Sequence, residues 1–212
     1  MLYLSGCVRP EFRHPNLGFM LGPNQGNKIP PDRLWAADNG AFSTATPFSW
    51  DRFEHWLMQK LEIAGEQCLF VVCPDVPFDA GATLERWKKY HSRMTQFNRP
   101  VAFVTQDGMT IEDIPWSDFE TLFIGGATEW APPTRIRSGP GSGPFVSEAR
   151  RRGKWVHFGR VNSLRRLRAV ASMGGDSADG TFLKYGPDKN WPRLHHWLDS
   201  LETQPSLLLP HP

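Results

Sequence analysis

Eight short apolar runs, separated by turn residues or by stretches of helical length, constrain this chain more than any other feature. They cover residues 2–4, 17–21, 34–37, 68–73, 101–105, 121–124, 155–158 and 177–182. Most are continuously apolar rather than alternating, the pattern of strands covered on both faces, as in a parallel sheet. Between them lie amphipathic segments. Ser49 stands before a helix with Phe53, Trp56, Leu57 and Leu61 on one face, and Thr83 before one carrying Leu84, Trp87 and Met94. Ser163 stands before a third, where Leu164, Leu167, Val170 and Ala171 face inward and Gly174 and Gly175 end the helix. A last amphipathic segment spans 191–201. Eight strands with crossover helices predict a compact single-domain α/β fold, a (β/α)8 TIM-type barrel over 1–203, followed by an irregular tail over 204–212. The first loops lack room for full helices. An open doubly wound sheet is the alternative.

A chain of 212 residues can bury one substantial core, and 40% hydrophobic with 22% charged residues excludes intrinsic disorder. Nine Trp and 19 Pro point to many short elements joined by structured loops, a scaffold suited to carrying its site on those loops. The net charge of +2 excludes a polycation, but its distribution is uneven. Between residues 135 and 168 Arg and Lys face the single acid Glu148, which suggests a phosphate-facing surface. Cys7, Cys68 and Cys73 are odd in number and lack CxxC spacing, so neither a disulfide framework nor a closed zinc site is expected. No apolar run has the length of a membrane span, and the start MLYLSGCVRPEF is unlike a signal peptide. A cytoplasmic protein without membrane contact is expected.

In a barrel the site is built at the C-terminal ends of the strands, so each end is read for polar residues. The third ends in Asp38 within LWAADNGAFS, where Asn39 and Gly40 also signal a tight turn. The fourth ends in CPDVPFD with Asp75, the fifth in TQDG with Gln106, and the sixth in GGATEW with Gly125 and Gly126. The seventh ends in HFGRVNS with His157 and Arg160, and the eighth contains Asp176 and Asp179. Singly, each reads as a turn or a cap. Together they form a ring of carboxylates that repel one another unless each has a task or a partner. SGPGSGP at 138–144 is either a plain connection or a lid over that ring.

The order of these motifs resembles the tRNA-guanine transglycosylase superfamily. DNGAFS is similar to its D-S-G-G-F/Y-Q, VTQDG to V-Q-G-G, IGGATEW to G-G-L-A-V-G-E, HFGRVNS to M-G-V-G, and GGDSADGT to G-V-D-x-x-D. CPDVPFD matches the D-E-C-x-P stretch more loosely. The resemblance spans residues 38–181. The C-x-C-x-x-C plus His zinc cluster of the tRNA enzymes is missing, and GGDSADGTF and YGPDKNW look most like the short, zinc-free DpdA-type branch of phages and bacteria, which exchanges guanine in DNA for a 7-deazaguanine.

That resemblance implies roles. Asp179 would be the nucleophile at C1′ of a deoxyguanosine, with Asp176 as the competing candidate, and Asp38 the general acid and base. Asp75 would accept from the guanine edge, Gln106 and the backbone of Gly125 and Gly126 would contact O6, and Phe42 would complete the base site. Arg160, Arg151, Arg152, Lys154, Arg165 and Arg166 would hold DNA phosphates around a flipped nucleotide. No metal and no cofactor are implied. The partners would be duplex DNA and a free 7-deazaguanine such as 7-cyano-7-deazaguanine, with a homodimer left open. Alternatives are a tRNA-directed enzyme of the same chemistry, a non-catalytic nucleic-acid-binding barrel, and a metal-dependent hydrolase using His157 and the carboxylates.

Overall fold

The computed structural model describes residues 1–7, 9–26, 28–30, 32–43, 46–125 and 142–202. Eight parallel strands close into a barrel in chain order: β1 (Leu2–Ser5), β2 (Leu17–Leu21), β3 (Trp35–Ala37), β4 (Cys68–Val72), β5 (Val101–Thr105), β6 (Thr121–Ile124), β7 (Trp155–Phe158) and β8 (Ser177–Gly180). Helices α1 (Trp50–Ala64), α2 (Ala80–Met94), α3 (Ser142–Arg151), α4 (Leu164–Ser172) and α5 (Pro187–Glu202) pack outside. The expected TIM-type fold is therefore the observed one. No helix is found in the described residues between β1 and β3, and the connection from β5 to β6 has only a short 3-10 turn. Among the described residues no helix is long and apolar enough to cross a membrane.

The continuous apolar runs have a geometric cause. Along a strand successive side chains point to opposite faces. Leu4, Met20, Ala36, Phe70, Val72, Ala102 and Val104 fill the barrel interior, with Phe123 and Trp155 packed against them. The intervening Tyr3, Phe19, Trp35, Val71 and Phe103 belong to the layer between strands and helices. Both faces are dry, so both are apolar. Trp35 ties β3 to its helix: it is fully buried, donates Nε1–H to the Ala64 carbonyl at 2.7 Å and meets Trp56 edge-on.

Helix starts follow side-chain caps, and one differs from expectation. Ser49 and Ser163 accept from the backbone N–H of Arg52 and Arg166 as their positions predict. The second helix begins earlier than Thr83, because Asp79 caps it by accepting from Ala82 N–H at 2.9 Å. Thr83 lies inside that helix, with its hydroxyl bonded to the backbone of Val76. The last helix likewise starts at Pro187 rather than at 191, since proline suits a first helical turn that has no partner for its N–H. Residues 142–144 of SGPGSGP form the first turn of α3; its residues 138–141, like the tail 204–212, lie outside the described residues.

β8 stops at Gly180 instead of running to 182, and the reason bears on the site. A Cβ at Gly180 would lie 2.5 Å from the Tyr3 hydroxyl, from Asn162 Oδ1 and from the Val161 carbonyl. The loop after β7 is folded against this point: Val161 N–H donates to the Asp179 carbonyl at 2.6 Å, and Thr181 N–H to Asn162 at 2.7 Å. Burial and the charge of Asp179 push the Tyr3 phenol well above its ordinary range, so it stays a donor, to the Val161 carbonyl at 3.1 Å. Gly180→Ala is expected to cost about 3 kcal/mol by overpacking, read as a lower urea midpoint at unchanged m-value. A midpoint equal to wild type would show that the loop yields freely.

Candidate active site

Strand parity carries the interior register past the strand ends to the mouth. Two residues beyond Ala36 is Asp38, two beyond Val104 is Gln106, two beyond Phe123 is Gly125, and two beyond Ser177 is Asp179. β3 and β8 thus end in carboxylates that face the same mouth, and the charges of Asp75 and Asp179 both act on Asp38.

Asp38 is half-buried, and its backbone N–H donates to the Leu21 carbonyl at 2.7 Å. Burial first, then the charges of Asp75 and Asp179, push its carboxyl up to about 7, against N–H donation from Gly40 and Asn39. The turn that follows is part of the site. Asn39 accepts from Ala41 N–H at 2.7 Å, which closes the turn, and donates to the Cys73 carbonyl at 3.0 Å and to Asp75 Oδ1 at 2.8 Å. Gly40 has φ 74°, in the left-handed region that favours glycine.

Asp75 is buried and held on both oxygens, since Gln106 Nε2 donates to Oδ2 at 2.7 Å. Burial raises its pKa, and the donors Asn39 and Gln106 and the Arg86 charge oppose the rise. The Gln106 carbonyl accepts from Phe78 N–H at 2.9 Å, which fixes the amide orientation. One of the two Gln106 amide N–H groups is thus given to Asp75, so Gln106 holds that carboxylate in place. Gly125 is required for close packing, because a Cβ there would sit 2.6 Å from Val104 Cγ1 and 2.8 Å from the Thr105 carbonyl. Gly126 lies outside the described residues.

Asp179 and Asp176 are at opposite ends of the barrel. Asp179 Oδ1 lies 3.1 Å from His157 Nε2, and its side chain is 21% exposed. Asp176, before β8, accepts from Val156 N–H at 2.8 Å and pairs with Arg150 at 2.9 Å. The basic stretch divides in the same way, since four-residue β7 puts roughly 13 Å between its two ends. Arg151 and Arg152 both bind Glu148, and Lys154 donates to the Phe119 carbonyl. These three belong to the closed end, where Arg150, Gly153, Lys154, Trp155 and Asp176 line a shallow recess, and are not brought to the mouth. The charge run is contiguous in sequence only.

Arg160, Arg165 and Arg166 lie at the mouth end, in the loop after β7 and the first turn of α4. The Arg160 guanidinium lies 5.1 Å from the Phe42 ring centre and 5.7 Å from that of Phe78. Those rings meet edge-on at 5.8 Å and are 57% and 41% exposed, an unusual degree for two large apolar side chains in contact. Phe78 and Arg160 also have φ of 68° and 64°, so two non-glycine residues in the left-handed region converge on one contact. Each such residue costs of order 1 kcal/mol, and strain of this kind concentrates at binding sites.

The sequence reading missed Asn39 as the partner of Asp75 and His157 as the partner of Asp179. Both were signalled by parity or adjacency: Asn39 follows Asp38, and His157 is two residues past the interior Trp155. His157 engages both ring nitrogens inside the barrel, Nδ1 with Ser177 Oγ at 2.8 Å and Nε2 with Asp179. Among the described residues the trio whose potential metal-ligand atoms all lie within 4.8 Å of one another is His14, His195 and Asp199, against α5. His14 Nδ1 there accepts Asn16 N–H, which leaves the proton on the nitrogen facing Asp199.

No family model matches the chain. No curated protein matches it either. Solved structures do. The BexX/CysO complex of Amycolatopsis orientalis is similar over 99% of this chain and 83% of that one, at 15% identity and a TM-score of 0.53. 3-Hexulose-6-phosphate synthase matches over 79% and 74% at 12% identity and a TM-score of 0.46. The Xanthomonas citri FimX EAL domain, solved with c-diGMP, matches over 77% of this chain and 57% of that one, at 14% identity and a TM-score of 0.43. This chain spans little more than half of that last protein. At 15% identity the likeness to the BexX/CysO complex shows the barrel fold alone.

Proposed function

We propose that this barrel is a DNA-guanine transglycosylase that exchanges guanine for a 7-deazaguanine through a covalent aspartyl intermediate. The observation that carries the reading is three carboxylates at one mouth in three different environments: Asp38 raised to about 7, Asp75 held by two amide donors, and Asp179 held by a buried histidine. Titratable groups pushed apart in this way suit separate roles in acid, base and nucleophilic chemistry. An Asp179 oxygen attacks C1′, the C1′–N9 bond breaks, and guanine leaves with a proton from Asp38. The incoming base then loses its N9 proton to Asp38, attacks C1′ and breaks the aspartyl C1′–O bond. Two displacements restore the starting configuration and leave the sugar–phosphate backbone intact. Asp75 accepts from the N1 and amino groups of the purine edge, a pattern that selects guanine-like bases. Phe42 and Phe78 offer ring faces to a flipped base, and Arg160, Arg165 and Arg166 offer charge to its phosphates.

The test is direct. Purified protein incubated with duplex DNA or with tRNA and 7-cyano-7-deazaguanine, followed by digestion and mass analysis, is expected to yield the deazapurine deoxynucleoside from DNA. Incorporation into tRNA alone would redirect the reading to the tRNA enzyme. No altered nucleoside from either polymer would leave a binding barrel.

Phosphate contact has its own signature. With three charges engaged, DNA affinity measured by fluorescence anisotropy is expected to fall about 40-fold between 50 and 200 mM salt. Arg165→Ala with Arg166→Ala should weaken binding and flatten that slope, whereas Arg151→Ala with Arg152→Ala should change neither. The reverse ranking would put DNA at the closed end of the barrel.

A further inference from the structure

A line of four side chains runs through the barrel interior from β7 to the mouth, and its direction is fixed by chemistry. Trp155 Nε1 lies 2.8 Å from Ser177 Oγ, Ser177 Oγ lies 2.8 Å from His157 Nδ1, and His157 Nε2 lies 3.1 Å from Asp179 Oδ1. An indole N–H can only donate, so Ser177 accepts from Trp155. Ser177 is fully buried, and among the described residues His157 Nδ1 is the one acceptor in reach of its hydroxyl proton, so the Ser177 O–H is directed at Nδ1. Nδ1 is therefore an acceptor, the single imidazole proton is on Nε2, and that proton is donated to Asp179. His157 is fully buried with both nitrogens occupied, which leaves it no means of exchanging protons with a substrate.

We propose that Trp155, Ser177 and His157 form a one-way hydrogen-bond relay that holds His157 as its Nε2–H tautomer and pins Asp179 by Oδ1, directing Oδ2 to the reacting carbon. Its catalytic meaning rests on the reading of Asp179 as the nucleophile. His157 is then a positioning residue. As Oδ2 bonds to C1′, Oδ1 becomes the ester carbonyl and still accepts the imidazole N–H. When the incoming base displaces the sugar, the departing carboxylate regains its charge beside the same donor. The neighbouring chain holds the frame: a Cβ on Gly159 would approach Asp179 Oδ1 to 3.5 Å and a Phe123 ring carbon to 2.8 Å, and the Phe123 ring packs edge-on against His157.

The tautomer is measurable without any substrate, by long-range proton–nitrogen NMR of the folded protein. The relay expects Nε2–H in the wild type and also in Asp179→Asn, because the Trp155–Ser177 end sets the direction and the asparagine carbonyl can accept. It expects mixed tautomers in Asp179→Asn combined with Trp155→Phe. An Nδ1–H tautomer or an imidazolium in the wild type, or a tautomer in Asp179→Asn that ignores the second substitution, would overturn it. Where base exchange is observed, His157→Phe is expected to lower kcat about 100-fold at unchanged KM through misplacement of Oδ2, and His157→Gln, which keeps an N–H at the same place, to recover most of that loss. Equal losses in both variants would reduce His157 to a packing residue. If the wild type exchanges no base, the reading of the reaction fails and the NMR result still decides the relay.

Discussion

Asp179→Asn is expected to lower base exchange by about 10⁴-fold or more, the scale seen when the nucleophile of a covalent mechanism is removed. An amide has the same shape as the carboxylate but cannot form the glycosyl ester, so the loss belongs to the chemical step. DNA binding should be unchanged, because the mouth cations Arg160, Arg165 and Arg166 are untouched. Intact-protein mass after rapid denaturation adds a second readout: wild type supplied with DNA but no incoming base should accumulate a covalent adduct, and Asp179→Asn should not. Asp176→Asn is the matched control, three residues away and at the far end of the barrel. It weakens the pairing with Arg150 and the acceptor for Val156 N–H, costs about 1–2 kcal/mol of stability and leaves turnover in place. A full loss of exchange in Asp176→Asn, with exchange retained in Asp179→Asn, would reverse the roles of the two aspartates.

The barrel was legible because its cause is local. A strand dry on both faces has to be apolar at every position, and eight such runs in 212 residues leave few architectures. Helix ends were less legible, since Thr83 and Asp79 are both good caps and the choice depends on which side chain the tertiary structure occupies; the Thr83 hydroxyl is engaged by Val76. The mouth aspartates could be found because each stands near or just past the end of an apolar run, where a barrel strand reaches the opening. What sequence proximity could not convey is height along the barrel axis. Arg151 and Arg165 look like neighbours in a basic run, yet β7 stands between them and puts them at opposite ends. Pairing across strands was equally hidden: the bond from His157 to Asp179 and that from Gln106 to Asp75 join residues 22 and 31 positions apart. The motif resemblance named Gln106 and the carboxylates without pairing them, and gave no role to Asn39 or His157, which hold Asp75 and Asp179.

Asp38 should reveal itself through pH. Its carboxyl is raised from an ordinary 3.8 to about 7, so between those values the folded chain holds a proton that the unfolded chain has released. Stability therefore falls as pH rises through this window and stays lowered above it. Asp38→Asn carries no charge at any pH. It is expected to match the wild type near pH 4 and to exceed it by about 2 kcal/mol at pH 8, less than the whole shift implies because the mouth admits water. The same variant should lose about 10²- to 10⁴-fold in exchange, the usual contribution of a positioned general acid and base. On the proposed transglycosylase reading guanine release needs the protonated form, so the wild-type single-turnover rate should decline above about pH 7, and that decline should be absent from the residual rate of Asp38→Asn. The two effects have opposite signs, a more stable protein that turns over more slowly, and this separates catalysis from folding. If Asp38→Asn is no more stable than wild type at pH 8, the raised carboxyl belongs elsewhere in the mouth. Asp75 is then the candidate, because burial pushes it in the same direction and its charge is one of the two that act on Asp38.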